Sequence, residues 1–123
     1  MTLNDYQEKA MATCMSTSAN FAYMFLNLVG EVGEFASKVA KAIRKDQMDI
    51  DGNCLYRFKA PEESDNELKK EAGDILWQLS GLCTMMGWEF EDVAAMNLEK
   101  LSQRKHNGTI DGSGDGVTKE DRL

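Results

Sequence analysis

Gly30-Glu31-Val32-Gly33-Glu34-Phe35 returns in residue type forty positions later as Lys70-Glu71-Ala72-Gly73-Asp74-Ile75. Both copies read Glu, small or apolar, Gly, acid, apolar. Around the first copy, Phe21, Phe25, Leu28, Val32, Phe35, Val39 and Ile43 recur at steps of three and four, the apolar stripe of an amphipathic helix. Around the second, Leu68, Ala72, Ile75, Leu79, Leu82 and Met86 do the same. Two long helices that bury such stripes against each other call for an all-α fold.

The acids sit awkwardly on those helices. Two like charges three residues apart share a helical face and repel by roughly 0.2–0.5 kcal/mol. At about 100° per residue, Glu31 and Glu34 fall on one shoulder of the first stripe, and Glu71 and Asp74 on the shoulder of the same hand on the second. If the two helices are antiparallel neighbours, the four carboxylates converge on one side. Gly33 and Gly73 beside them favour close backbone packing. The competing reading leaves all four acids on solvated flanks.

The rest of the chain is consistent with a small helical protein. Its 123 residues, 42% of them hydrophobic, suffice for one core and not for two ordinary domains. A single domain over 1–106 and a tail over 107–123 with glycines at 108, 112, 114 and 116 are expected. With one proline, Pro61, and little apolar–polar alternation, helices are expected at about 3–17, 19–45, 65–87 and 89–105. Ser64-Asp65-Asn66-Glu67 is a capping-box pattern at the start of the third helix, and Gly87 is its stop. Residues 46–64 read as a loop, with a short element around 55–58. The architecture is four-helix bundle-like. Leu76, Trp77 and Cys83 lie off the main stripe of the third helix, so a homo-oligomer, dimer or tetramer, is expected.

Composition excludes several functions. Fourteen basic against 21 acidic residues give a net charge of −7, which argues against a nucleic-acid partner. Cys14, Cys54 and Cys83 form no C-x-x-C pair, so neither a disulfide framework nor a zinc cage is indicated. No signal peptide or long apolar run is present, and the chain is expected in the cytoplasm with no membrane partner. His106 is the only histidine, which removes histidine triads and multi-histidine metal sites. There is no P-loop. The acidic runs beginning at Gln47 and Asp111 carry Phe58 and Arg122 where a calcium loop needs its glutamate.

Four carboxylates in one place require protons or cations, because two of them about 4 Å apart repel by about 4 kcal/mol at an effective dielectric near 20. Oxygen donors without histidine or cysteine select Mg²⁺, with Mn²⁺ or Ca²⁺ as alternatives, and magnesium leaves positions for water and phosphate. The fourth helix places Asn97, Lys100 and Arg104 in its inward stripe with Phe90, Val93, Ala94 and Leu101, where an amide and two cations suit a polyphosphate and its sugar or base. The alternative is that its last turns leave the core. Lys38 and Lys45, on the carboxylate flank, reach either phosphate or the acids. Gln78, one turn after Asp74, contacts a sugar hydroxyl or lies free on the surface.

These residues resemble the MazG-like nucleotide pyrophosphohydrolases of the all-α NTP pyrophosphatase superfamily. The family's Glu-x-x-Glu pair followed by Glu-x-x-Asp is matched by Glu31, Glu34, Glu71 and Asp74. Asn97-Leu98-Glu99-Lys100-Leu101 with Arg104 is also similar, and Gly108-Thr109-Ile110-Asp111-Gly112-Ser113-Gly114-Asp115 resembles a subgroup's tail. The resemblance implies hydrolysis of a nucleoside triphosphate to the monophosphate and pyrophosphate. It implies Mg²⁺ held by the four acids, with Glu34 or Glu31 as base and Lys100 and Arg104 on the phosphates. The alternative from another class is a non-catalytic, metal-stabilised helical module.

Overall fold

The computed structural model describes residues 1–50, 56–58 and 61–112. Four helices, α1 (Leu3–Met11), α2 (Phe21–Arg44), α3 (Pro61–Met85) and α4 (Phe90–His106), carry the fold. A two-stranded antiparallel ribbon, β1 (Met48–Ile50) and β2 (Tyr56–Phe58), joins α2 to α3 in the register Met48↔Phe58, Asp49↔Arg57, Ile50↔Tyr56.

The helix ends follow local chemistry. Thr2 and Asp5 close a capping box on α1, each side chain accepting from the other's backbone N–H at 3.0 and 3.1 Å. The helix stops at Met11, six residues short of the expected 17. Thr13 turns its hydroxyl back to the Ala10 carbonyl at 2.6 Å, and Ser16–Ser18 forms a single 3₁₀ turn. Serine and threonine hydroxyls compete for backbone groups in this way, and four of them, Thr13, Ser16, Thr17 and Ser18, follow Met11. Asn20 caps α2 by accepting from Tyr23 N at 2.8 Å.

Three helices end in the same motif. Gln47 N bonds Ala42 O, Trp88 N bonds Cys83 O and Thr109 N bonds Arg104 O, each at 2.8 Å. The residue before each donor has a positive φ: Gly87 and Gly108 supply two, while Asp46, at φ 57°, takes the left-handed conformation at the end of α2.

Helix α3 begins a turn before its expected start. Pro61 occupies the first position, where a missing N–H is harmless, so the Ser64-to-Glu67 pattern lies inside the helix rather than at its cap. Glu67 pairs with Lys70 at 3.3 Å. The expected loop over 46–64 contains the ribbon, whose β2 coincides with the short element expected around 55–58; its 51–55 and 59–60 lie outside the described residues. So do 113–123, most of the glycine-rich tail.

Helices α2 and α3 are antiparallel neighbours. Asn27 meets Gln78 near one end, Lys38 meets Glu71 further along, and Ala42 packs with Leu68 and Met48 at the ribbon end, where Phe35 and Val39 complete a small core. Helix α1 lies along α3, with Trp77 Nε1 donating to Ala10 O at 3.1 Å and to Thr13 Oγ1 at 3.0 Å. Trp77 is thus half-buried against α1 within the chain. Gln7 ties α1, α3 and α4 together: it donates to Thr84 Oγ1 and Trp88 O, and accepts from Phe90 N at 2.8 Å.

One rotation departs from expectation. The apolar stripe of α2 faces α3 along one edge only, where Phe35 and Val39 pack toward Leu68. Met24 is fully buried and Ala42 nearly so, but Phe21 is 51% exposed and Phe25 49%, with Val32 and Ile43 exposed beside them. The seam between α2 and α3 is shifted from the middle of the stripe toward the shoulder that carries the acids.

Candidate metal centre

The spacing 27, 31, 34, 38 places Asn27, Glu31, Glu34 and Lys38 on one face of α2, and 67, 71, 74, 78 places Glu67, Glu71, Asp74 and Gln78 on one face of α3. With α2 rotated as described, these faces meet. Carboxylate oxygens of Glu31, Glu34 and Glu71, one from each, lie within 4.8 Å of one another. Glu71 is 8% exposed, Glu31 half-buried and Glu34 exposed, so the cluster opens from the seam to solvent. Asp74 is exposed on α3 outside that tight trio, yet near enough for its charge to act on Glu31.

Electrostatics mark the cluster. The Glu31 carboxyl is raised from its ordinary value by burial first, then by the charges of Asp74, Glu71 and Glu34, with the Asn27 amide opposing. Lys38 Nζ bonds Glu71 Oε1 at 2.6 Å, and this bond is the largest cause of the ammonium's raised pKa. Glu71 Oε2 is buried and accepts no hydrogen bond among the described residues. A buried carboxylate oxygen left in that state costs stability unless something positive meets it. An oxygen-only donor set with one such atom fits a hard divalent cation, with Glu31, Glu34 and Glu71 as donors and Asp74 beside them.

Gln78 is a correction. It is 2% exposed, and its amide is used inside the helix pair: Oε1 accepts from Asn27 Nδ2 at 2.7 Å and Nε2 faces Met24 O at 3.5 Å. It clamps α2 to α3 and is not a free surface glutamine. Asn27, which the reading of the sequence passed over, also reaches toward Glu31 Oε1 at 3.5 Å and Tyr23 Oη at 3.4 Å. The signal was present, since Asn27 precedes Glu31 by one turn on the carboxylate face. Asn97 and Lys100 are exposed and Arg104 is half-buried on α4, which packs on α1 and α3. The exposure of Met96, Leu98 and Leu101 shows that the later turns of α4 leave the core.

Comparison with known proteins now bears on this geometry. The model of the MazG nucleotide pyrophosphohydrolase domain matches residues 20–109, from the cap of α2 to just past α4. The chain belongs to the MazG family. It is also similar to the gene 37 protein of Mycobacterium phage L5, 37% identical over 94 residues, 76% of this chain and 74% of that protein. No solved structure matches. The matched span holds Glu31, Glu34, Glu71 and Asp74, while α1 lies outside it. No helix among the described residues is long and apolar enough to cross a membrane.

Proposed function

We propose that this protein is a Mg²⁺-dependent nucleoside triphosphate pyrophosphohydrolase, converting a ribo- or deoxyribonucleoside triphosphate to the monophosphate and pyrophosphate. The observation that carries the reading is the Glu31–Glu34–Glu71 cluster with its buried Glu71 oxygen, unpartnered among the described residues, in a chain of the MazG family. Glu31, Glu34, Glu71 and Asp74 would hold the metal; Mn²⁺ is the alternative ion. Bound there, the metal supplies charge neutralisation on the phosphates and a more acidic water.

The chain's own groups divide the remaining work. Glu34, exposed at the mouth of the cluster, takes the proton of the attacking water. The water oxygen bonds to phosphorus, the bridging P–O bond breaks, and pyrophosphate leaves with the electron pair. Glu31 is steadied from one turn away by Asn27 and serves as a ligand. Lys100 and Arg104 are the phosphate-facing cations and Asn97 the contact for sugar or base. The half-exposed Phe21, Phe25, Val32 and Ile43 of α2 support a homo-oligomer in which a second copy covers that stripe. The single domain over 1–106, with the remaining residues as a tail, would then be the catalytic unit of a cytoplasmic enzyme.

The test is magnesium-dependent pyrophosphate release from a panel of standard and modified nucleotides. Glu34→Gln should abolish turnover with the helical circular dichroism intact; unchanged release from the variant would sink the assignment of Glu34. No product from any nucleotide would favour the second reading, a non-catalytic helical assembly module, which the uncovered α2 stripe also supports.

A further inference from the structure

Lys38 stands one turn beyond Glu34 on α2, and its ammonium lies between two acids of α3: 2.6 Å from Glu71 Oε1 and 4.0 Å from Glu67 Oε2. Glu67 and Glu71 are themselves one turn apart on the same face. Glu71 is the buried member of the carboxylate cluster, and its other oxygen has no partner among the described residues. A magnesium ion ligates oxygen at about 2.0–2.1 Å. A cation bound to Glu71 at that range would share one carboxylate with an ammonium already 2.6 Å from it, and the two positive charges oppose each other. Lys38 is 43% exposed at its side chain and has a second acceptor one turn away, so it has both the room and the place to move.

We infer that Lys38 is a two-position latch on the metal site: it neutralises Glu71 while no metal is bound, and divalent-cation binding transfers its ammonium along α3 to Glu67. This rests on the reading of the cluster as a metal site and adds to it a residue that sets how readily the site fills. The ammonium keeps the buried Glu71 charge compensated in the empty protein and weakens metal binding by competition. Glu67, outside the cluster, favours metal binding by receiving the displaced cation.

The test is isothermal titration of the full-length protein with Mn²⁺, and with Mg²⁺, at fixed pH and ionic strength. Lys38→Met should bind Mn²⁺ more tightly by about tenfold, equivalent to one pair of charges removed from competition. Glu67→Gln should bind it more weakly, by about threefold. The double variant should match Lys38→Met, because without the ammonium Glu67 has nothing to receive. Lys38→Arg should stay close to wild type. In the wild-type protein, ¹³C-dimethylated Lys38 should shift on titration with Mg²⁺, with a midpoint equal to that of metal binding, a readout that needs no variant to fold. If wild type binds metal but Lys38→Met binds it no more tightly, or the Lys38 resonance stays still, the latch is overturned and the metal site stands. If wild type binds neither ion, the metal site itself is refuted and the latch with it.

Discussion

Replacing Glu31 with Gln should make the metal-free protein more stable at neutral pH while removing most of its response to divalent cations. Glu31 shares a cluster with Glu34 and Glu71 whose oxygens lie within 4.8 Å of one another. Two unit charges at that separation repel by about 3.5 kcal/mol at an effective dielectric near 20. Glu34 faces solvent and Lys38 offsets Glu71, so screening reduces the gain from removing one charge to about 1–2 kcal/mol. The glutamine retains an oxygen for the 3.5 Å contact with Asn27. In a chain of this size the variant should melt about 3–8 °C above wild type in EDTA. Wild type, with metal in hundredfold excess over its Kd, should gain about 2.7 kcal/mol from binding. The variant, with one ligand weakened, should gain much less.

The pH dependence has a definite sign. The Glu31 carboxyl is raised above its ordinary 4.5, so the folded protein holds this proton more tightly than the unfolded chain. Its contribution is therefore fully present below 4.5 and is lost as pH rises through the folded value. Asp5, lowered from 3.8 by its capping bonds to Thr2, acts in the opposite direction and only in more acid solution. Lys38, raised from 10.5, loses its contribution only in alkali. Thermal melts in EDTA from about pH 5 to about pH 7.5 should thus show the variant's advantage growing with pH. A Glu31→Gln protein less stable than wild type at neutral pH, or an advantage that shrinks as pH rises, would refute the reasoning.

Gln7→Ala removes two donated bonds and the acceptor for Phe90 N, and should cost about 2 kcal/mol by urea unfolding with faster amide exchange at Phe90. Gly81→Ala would drive a Cβ into Met24 Sδ and to 2.7 Å from its Cε, on a fully buried side chain. Overpacking of about 1–3 kcal/mol should exceed the helical gain of about 1 kcal/mol, and Met24→Ala in the same chain should shrink the penalty measured for Gly81→Ala. Asn20→Ala removes the cap on α2 and should lower stability by about 1 kcal/mol, with no change in metal affinity.

Much of the molecule could be read from residue order alone. The stripes on the two long helices and the acid-Gly-acid echo pointed to an all-α chain, the motifs resembled the MazG type, and the helical fold and family match agree. Asn27 was equally legible by spacing. The short polar run after Met11 carried the signal that ends α1, because its hydroxyls compete with the helix for the same carbonyls.

Rotation was not legible. A helical wheel assigns each residue an angle about its own axis and says nothing of which angle points at a neighbour. That choice is made by side chains interlocking across the whole seam, and here Met24, the Asn27–Gln78 amide pair and the Lys38–Glu71 bond occupy it. The outer edge of the α2 stripe, Phe21, Phe25, Val32 and Ile43, is left exposed as a result, while Glu31 is half-buried and Glu71 buried at the seam. Gly30 to Phe35 and its echo specify four carboxylates on matching shoulders. Packing turns three of them into a cluster 4.8 Å across, buries one oxygen of Glu71 without a partner among the described residues, and lays Lys38 against the other.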